Sequence, residues 1–141
     1  MGKLANKTER DIEALLEVRQ LLEKGWCKGA FARDLHGTPV PALSESACQW
    51  CLSGAVERAC SRRTLSALPG VLNKGLYPEY PELVDVPAVR RVFSALAGVL
   101  NKGSRYYHEL PAPFNDAQDS VEPVLELVDK TIERLEKEVA A

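Results

Sequence analysis

The chain is predicted to be mainly α, a small helical bundle of about five helices with a short β-hairpin after the first helix. Three observations predict it. Apolar residues recur near a 3.6-residue period at both ends of the chain. A Ser-x-x-Gln signature at Ser46 and Gln49 has the form of a capping box opening a helix in the middle. Hydrophobic residues make up 45% of 141 positions, enough to bury one core without disulfide or metal staples, so a single domain over 1–141 is expected.

The first helix is assigned to 8–24, where Ile12, Leu15, Leu16, Val18, Leu21 and Leu22 share a face, Thr8 and Asp11 give the start signal and Gly25 the stop. Residues 26–40 change character. Gly29 to Arg33 suits a short strand, Asp34-Leu35-His36-Gly37 a turn, and Thr38-Pro39-Val40 the return, which together make a hairpin. A helix over 46–60 follows, carrying Trp50, Leu52, Ala55, Val56 and Ala59. Residues 65–103 hold further helix, interrupted by Pro69 in the first part, because proline can begin a helical turn but not occupy its interior. The proline-punctuated stretches 76–82 and 109–113 are connectors. A last helix over 119–140 turns Val124, Leu127, Val128, Ile132, Leu135 and Val139 inward.

The segment 65–103 contains a duplication. Ser66-Ala-Leu-Pro-Gly-Val-Leu-Asn-Lys-Gly75 recurs as Ser94-Ala-Leu-Ala-Gly-Val-Leu-Asn-Lys-Gly103, nine of ten positions identical at an offset of 28. Each copy ends in a helix-stop triplet and is followed by tyrosines, Tyr77 and Tyr80 or Tyr106 and Tyr107. Two copies fall short of a solenoid, so a local duplication is the simpler reading, beside a sharper one in which matched helix ends flank a binding surface.

Eighteen basic against 20 acidic residues leave a net charge of -2, which provides no broad field for a polyanion and argues against nucleic acid as a partner. No apolar stretch approaches the ~20 residues of a membrane span, and Met1-Gly2-Lys3-Leu4 opens no signal segment, so a cytoplasmic location without membrane contact is expected. The four cysteines, Cys27, Cys48, Cys51 and Cys60, are accordingly read as free thiols.

Cys48-Gln-Trp-Cys51 has the spacing of a metal half-site and, on a helix, would put both sulfurs on one face. The remaining ligands would have to come from Cys27, Cys60, His36 and His108, and with no second tight pair neither metal nor cofactor is expected. Cysteine nucleophile chemistry is the stronger enzymatic alternative, with Cys51 as nucleophile, His108 as base and Asn115 or Asp116 as orienting group. Against it, a helix starting at Ser46 would leave Cys51 beyond the first turn, where the helix dipole helps a thiolate least. Trp26, Phe31 and Trp50 read as core anchors rather than a stacking platform. Asp34 reads as a turn residue, Asn115-Asp116 as a turn or cap, and Arg58, Arg62, Arg63, Arg90 and Arg91 as solvated faces. Arg33, beside a tryptophan, has no such simple reading.

Three motifs carry a resemblance. Trp26-Cys-Lys-Gly29 with Ala32-Arg33-Asp34-Leu-His-Gly37, then Trp50-Cys51-Leu-Ser-Gly54-Ala55, then Asn115-Asp116 before a closing helix, resemble an uncharacterised family of small bacterial and phage-borne proteins. The duplicated segments are not part of that pattern. The resemblance implies that Trp26, Arg33, Asp34, Trp50, Cys51, Asn115 and Asp116 line one pocket, and its phage and mobile-element setting implies a defence or counter-defence role.

The expected function is therefore a binding or interaction protein whose ligand is a small molecule or another protein, with a Cys51-dependent hydrolase or transferase as the alternative. A third expectation is an inhibitor docking through an acidic face formed by Glu126, Asp129, Glu133, Glu136 and Glu138.

Overall fold

The computed structural model describes residues 6–61, 84–101 and 110–141. These form five helices and a three-stranded antiparallel sheet in the order α1 (Lys7–Lys24), β1 (Ala32–Arg33), β2 (Pro39–Val40), β3 (Gln49–Trp50), α2 (Leu52–Ala59), α3 (Val86–Leu100), α4 (Pro111–Asp116) and α5 (Glu122–Ala140). The architecture is mainly α with a small hairpin after the first helix. None of the described helices is long and apolar enough to cross a membrane.

The start of α1 comes from Asn6, not from Thr8. The Asn6 side chain accepts from Glu9 N–H at 2.8 Å while the Glu9 carboxylate accepts from Asn6 N–H at 3.1 Å, a reciprocal box that satisfies two otherwise orphaned donors. Along the helix, Leu15, Val18, Leu21 and Leu22 are buried at helical spacing. It stops at Gly25 because the chain there runs against the approach to β3. A Cβ at Gly25 would lie 2.2 Å from the Cys48 carbonyl oxygen, so only glycine permits the approach.

The sheet has the order β2-β1-β3, with Ala32 opposite both Val40 and Trp50, and Arg33 opposite Pro39 and Gln49. An isolated parallel bridge pairs Trp26 with Trp50 on the far side of β3, made by Trp50 N–H to Gly25 O (3.0 Å) and Cys27 N–H to Trp50 O (3.1 Å). Ala32 and Trp50 point into the core. By the alternation of a strand, Phe31 and Arg33 point to the opposite face.

The helix predicted over 46–60 begins instead at Leu52. Ser46 caps nothing. Its hydroxyl pairs with the Ser44 hydroxyl at 2.8 Å, and Gln49 is committed to β3, where sheet pairing on both sides of Trp50 outcompetes the helical option. The cap of α2 is Cys51, whose Sγ accepts from Gly54 N–H at 3.3 Å. Gly54 lets α2 lie directly on β1, since a Cβ there would come within 1.9 Å of the Phe31 carbonyl oxygen.

Of the predicted 65–103 segment, the first copy of the duplication lies outside the described residues. Most of the second forms the end of α3, with Asn101 as C-cap. Asp85 caps the start of α3 by accepting from Ala88 N–H at 3.1 Å, and Pro87 occupies its first turn. The last helix starts at Glu122, slightly later than the predicted 119–140. The core unites Leu15, Val18 and Leu22 of α1, Leu52 and Val56 of α2, Val92 and Leu96 of α3, and Val124 and Val128 of α5, all with essentially no exposure. Each such side chain contributes about 1.5–3 kcal/mol relative to an exposed one.

Two charged links join helices. Asp11, only 7% exposed on the inner side of α1, receives Arg91 of α3 through Nε and Nη2 at 3.0–3.1 Å. Arg19 of α1 reaches Asp129 of α5 at 2.7 Å and also pairs with Glu23. Arg91 is thus a structural tie rather than a solvated charge. So is Arg58, half-buried over the Trp50 ring at 5.5 Å and donating to the carbonyls of Ala42 and Ser44. Arg62 and Arg63 lie outside the described residues.

Candidate functional site

Two of the other motif residues, Trp26 and Asp116, bond one side chain, Asn115. It sits in α4 with no solvent exposure, and its carboxamide is fully used. Oδ1 accepts from Trp26 Nε1 (2.7 Å) and from Leu52 N–H (3.1 Å), while Nδ2 donates to Cys27 O (3.2 Å) and Asp116 Oδ1 (3.1 Å). The position explains the residue type. Past the Trp26–Trp50 bridge, a continued parallel ladder would have joined Leu52 N–H to Cys27 O directly; the chains diverge there, and the Asn115 amide fills the missing rung with one donor and one acceptor. Only Asn or Gln carries both groups in one plane, and Asn115 has the reach that α4 requires.

Asp116, the next residue, is exposed and accepts from Gly29 N–H at 3.2 Å. Gly29 has φ of +76°, the left-handed region, which turns its N–H toward α4. Lys28 adds a third tie, Nζ to Gln118 O at 2.8 Å, with its ammonium 6.0 Å from the Trp26 ring. Segment 26–29 is therefore pinned to α4 and the residues just after it by two of its side chains, Trp26 and Lys28, and two of its backbone groups, Cys27 O and Gly29 N–H.

Arg33 is explained by the same region. Its guanidinium donates to Gly37 O (3.0 Å) and Lys28 O (2.9 Å), spanning the two ends of the loop, and lies against the Cys27 thiol. Asp34 does what a turn residue does: Oδ1 accepts from the amides of His36 and Thr38, both at 2.9 Å, while Asp34 N–H bonds Thr38 O. Gly37, at φ +80°, completes the turn. Trp50 is buried on the other face of the sheet, its indole N–H donating to Ala42 O at 3.2 Å. Asp34 and Trp50 are thus not brought to Asn115. Trp26 and Asp116 bond it directly, Cys51 stands one residue before its Leu52 partner, and Arg33 is linked to it only through Lys28 and Cys27.

Cys51 is only 6% exposed. Burial pushes its thiol up to about 11, although the Gly54 amide favours the thiolate; desolvation wins. The sequence-based placement beyond the first helical turn is corrected to the N-cap itself, because α2 starts six residues later than predicted. The placement of Cys48 and Cys51 on one helix is corrected too: Cys48 precedes β3 and is half-buried. Cys60, closing α2, is pushed up to about 12 by burial. Cys27 is raised by burial as well, opposed by the neighbouring Arg33. His108 lies outside the described residues. Among the described residues, no group of three or more His, Cys, Asp or Glu side chains is placed to hold a metal ion.

A recess of about 400 Å³ between α1 and α2 is lined by Arg10, Glu13, Glu17 and Arg58 among others, and contains none of the seven motif residues. Among the described residues, four apolar ones stand further out than the sequence suggested: Leu16 and Val139, assigned to inward helix faces but 47% and 40% exposed, and two on the hairpin. Phe31, expected in the core, is 51% exposed, and Leu35 is 85% exposed at the tip of the hairpin. The signal was present for Leu35, an apolar side chain inside an Asp-x-x-Gly turn. For Phe31 it was not, since Ala32 and Phe31 could equally have taken the inward position.

The fold and the site define a class: an α-rich domain in which an Asn-Asp pair on a short helix locks a small sheet and its hairpin to the bundle. The chain belongs to the family described as Family of unknown function (DUF6197), whose profile matches residues 6–134. No curated protein and no solved structure matches the chain.

Proposed function

We propose that this chain is an interaction protein that engages another protein through its 28–40 hairpin. One observation carries the reading: Leu35 and Phe31 stand out in solvent on a segment whose backbone is held by Arg33, Asp34, Lys28 and Asp116. A large apolar side chain at a turn tip contributes nothing to folding, and an immobilised loop loses little entropy on binding. A few side chains near the centre of a protein interface carry most of its binding energy, and two large apolar side chains on a rigid support suit that role. Of the two ligand classes that the composition leaves open, the protein is favoured because the motif residues are spent on holding the hairpin rather than on lining a recess.

A Cys51-centred hydrolase is the less favoured reading. A thiol raised to about 11 is almost entirely protonated near neutrality, opposite to the activation that a cysteine nucleophile needs. The acidic-face reading is weakened too, because Glu126, Asp129 and Glu133 are paired with Lys130, Arg19 and Lys137.

The test compares wild type with Leu35→Asp and Phe31→Ser, each purified from the producing cells with isotope-coded quantification. A partner retained by wild type and reduced at least about tenfold by either substitution, at unchanged melting temperature, supports the proposal; about 1.4 kcal/mol of binding energy suffices for that ratio. The same proteins in equal amount on all three baits would sink it.

A further inference from the structure

The ladder that Asn115 terminates also places two thiols. Cys27 and Cys51 directly follow the Trp26–Trp50 parallel bridge, so they are the next pair in register, one on each chain. Residues opposite one another in a parallel pair point to the same side, and here that side is the one occupied by Arg33 and Asp116. Both backbones are tied at this point: Cys27 N–H to Trp50 O, Cys27 O to Asn115, Cys51 N–H to Phe31 O at 3.1 Å, and Leu52 N–H to Asn115. The bridged pair Trp26 and Trp50 holds the two chains at strand spacing, about 4.8 Å, one residue before the thiols, and a disulfide spans ~4.4–6.8 Å between Cα atoms, so closure asks the chains to draw together only where they begin to part.

We propose that Cys27 and Cys51 form a peroxide-sensitive dithiol that closes to an intramolecular disulfide at the base of the hairpin. The first step falls to Cys27: burial raises its thiol, but the Arg33 guanidinium lies against it and opposes that rise, a cation that Cys51 lacks. The Cys27 thiolate attacks a peroxide oxygen; an S–O bond forms, the O–O bond breaks, and the departing hydroxide takes the thiol proton as water. The Cys51 thiol, held beside it, then attacks the sulfenic sulfur; an S–S bond forms, the S–O bond breaks, and the Cys51 proton passes to the departing hydroxide, which leaves as water. Two thiols and one hydrogen peroxide give one disulfide and two waters. Cys27 and Cys51 are both largely buried, 7% and 6% exposed, which favours a small oxidant over a bulky protein disulfide. Cys48 precedes the Trp26–Trp50 bridge along the chain but is near enough to act on the Cys27 thiol, which makes it the competitor to test, whereas Cys60 lies at the opposite end of α2.

The test uses the full chain under a modest excess of hydrogen peroxide, followed by quenching, denaturing alkylation and non-reducing trypsin digestion. The expected result is loss of two of the four thiols and a peptide linking 25–28 to 34–58. Because Cys48 and Cys51 share the second peptide, Cys48→Ser and Cys51→Ser are run in parallel. The link should persist in the first and vanish in the second, where Cys27 is left as a trappable sulfenic acid. Serine is a good N-cap, so Cys51→Ser is expected to fold; should it not, fragmentation of the wild-type linked peptide assigns the bond alone. Four alkylatable thiols after treatment, or a link that disappears with Cys48→Ser, would overturn the proposal.

Discussion

At the scale of single residues, Asn115 is the side chain on which the site depends. Four hydrogen-bond partners, one of them an indole N–H, converge on a carboxamide without solvent access. Replacing it with alanine strands the Trp26 and Leu52 donors and the Cys27 carbonyl together, and each unsatisfied buried group costs about 1–3 kcal/mol. Asn115→Ala should therefore lower stability by about 2–4 kcal/mol, relaxation recovering part of the sum, as read from the shift of a urea midpoint. Asn115→Asp should be worse at neutral pH, because it turns a donor into a charge facing Cys27 O and Asp116.

The buried thiols make a second residue-scale prediction. Burial pushes Cys51 and Cys60 up to about 11 and about 12 from an ordinary thiol value of 9.0. Above pH 9 the unfolded chain releases these protons before the folded one does, so the stability they support is fully present below pH 9 and lost progressively toward pH 11 to 12. Urea midpoints should fall over that window, and the double substitution Cys51→Ser with Cys60→Ala should flatten the fall. An unchanged alkaline slope would show that other groups set it.

Elements carry the next lesson. Helix α2 sits where it does because Gly54 lets it touch the Phe31 carbonyl, 1.9 Å from where a Cβ would be. Gly54→Ala should force α2 off β1 at a cost of ~3 kcal/mol, and near-ultraviolet circular dichroism of Trp26 and Trp50 should change with it. Gly37, with no neighbour within 4 Å of a built Cβ but a φ of +80°, should cost only about 1 kcal/mol as alanine, from backbone strain alone. Between helices, Asp11→Ala leaves Arg91 without its carboxylate and should cost about 2–3 kcal/mol, whereas Asp129→Ala, breaking the exposed Arg19 pair, should cost under ~1 kcal/mol.

How much of this was legible follows from which interactions are local. The helix over 8–24 and the closing helix were readable because their apolar period is a property of consecutive residues, and the hairpin because Asp34 and Gly37 mark a turn chemically. The start of α2 was misread because Ser46 and Gln49 satisfy a local pattern that the sheet overrides: Trp50 pairs on both sides, with Ala32 and Trp26, and those partners are distant in sequence. Asn115 was singled out by its motif and not by any local rule, since its partners, Trp26 and Leu52, lie 89 and 63 positions away. The exposure of Phe31 depends on which face of a two-residue strand meets the core, and two residues carry too little alternation to decide.

At the scale of the whole molecule, the helices supply burial and the small sheet supplies geometry. The core of α1, α2, α3 and α5 is apolar throughout, apart from Asp11, Asn115, Thr131 and two serines among the buried polar residues. The motif residues sit at the edge of that core, where α4 and the sheet meet, and convert a stable bundle into a support for a projecting turn. That division accounts for a hairpin whose tip displays leucine while its stem is fastened by Arg33, Asp34 and Asp116.

The most direct measurement is site-specific photo-cross-linking in the producing cells, with a photoreactive phenylalanine analogue at position 35 and a control at the exposed Ser94 on α3. A discrete protein adduct at position 35, missing at position 94 and lost when Phe31→Ser is added, is the predicted result. Equal labelling at both positions, or no adduct at position 35, would contradict the hairpin as an interaction surface.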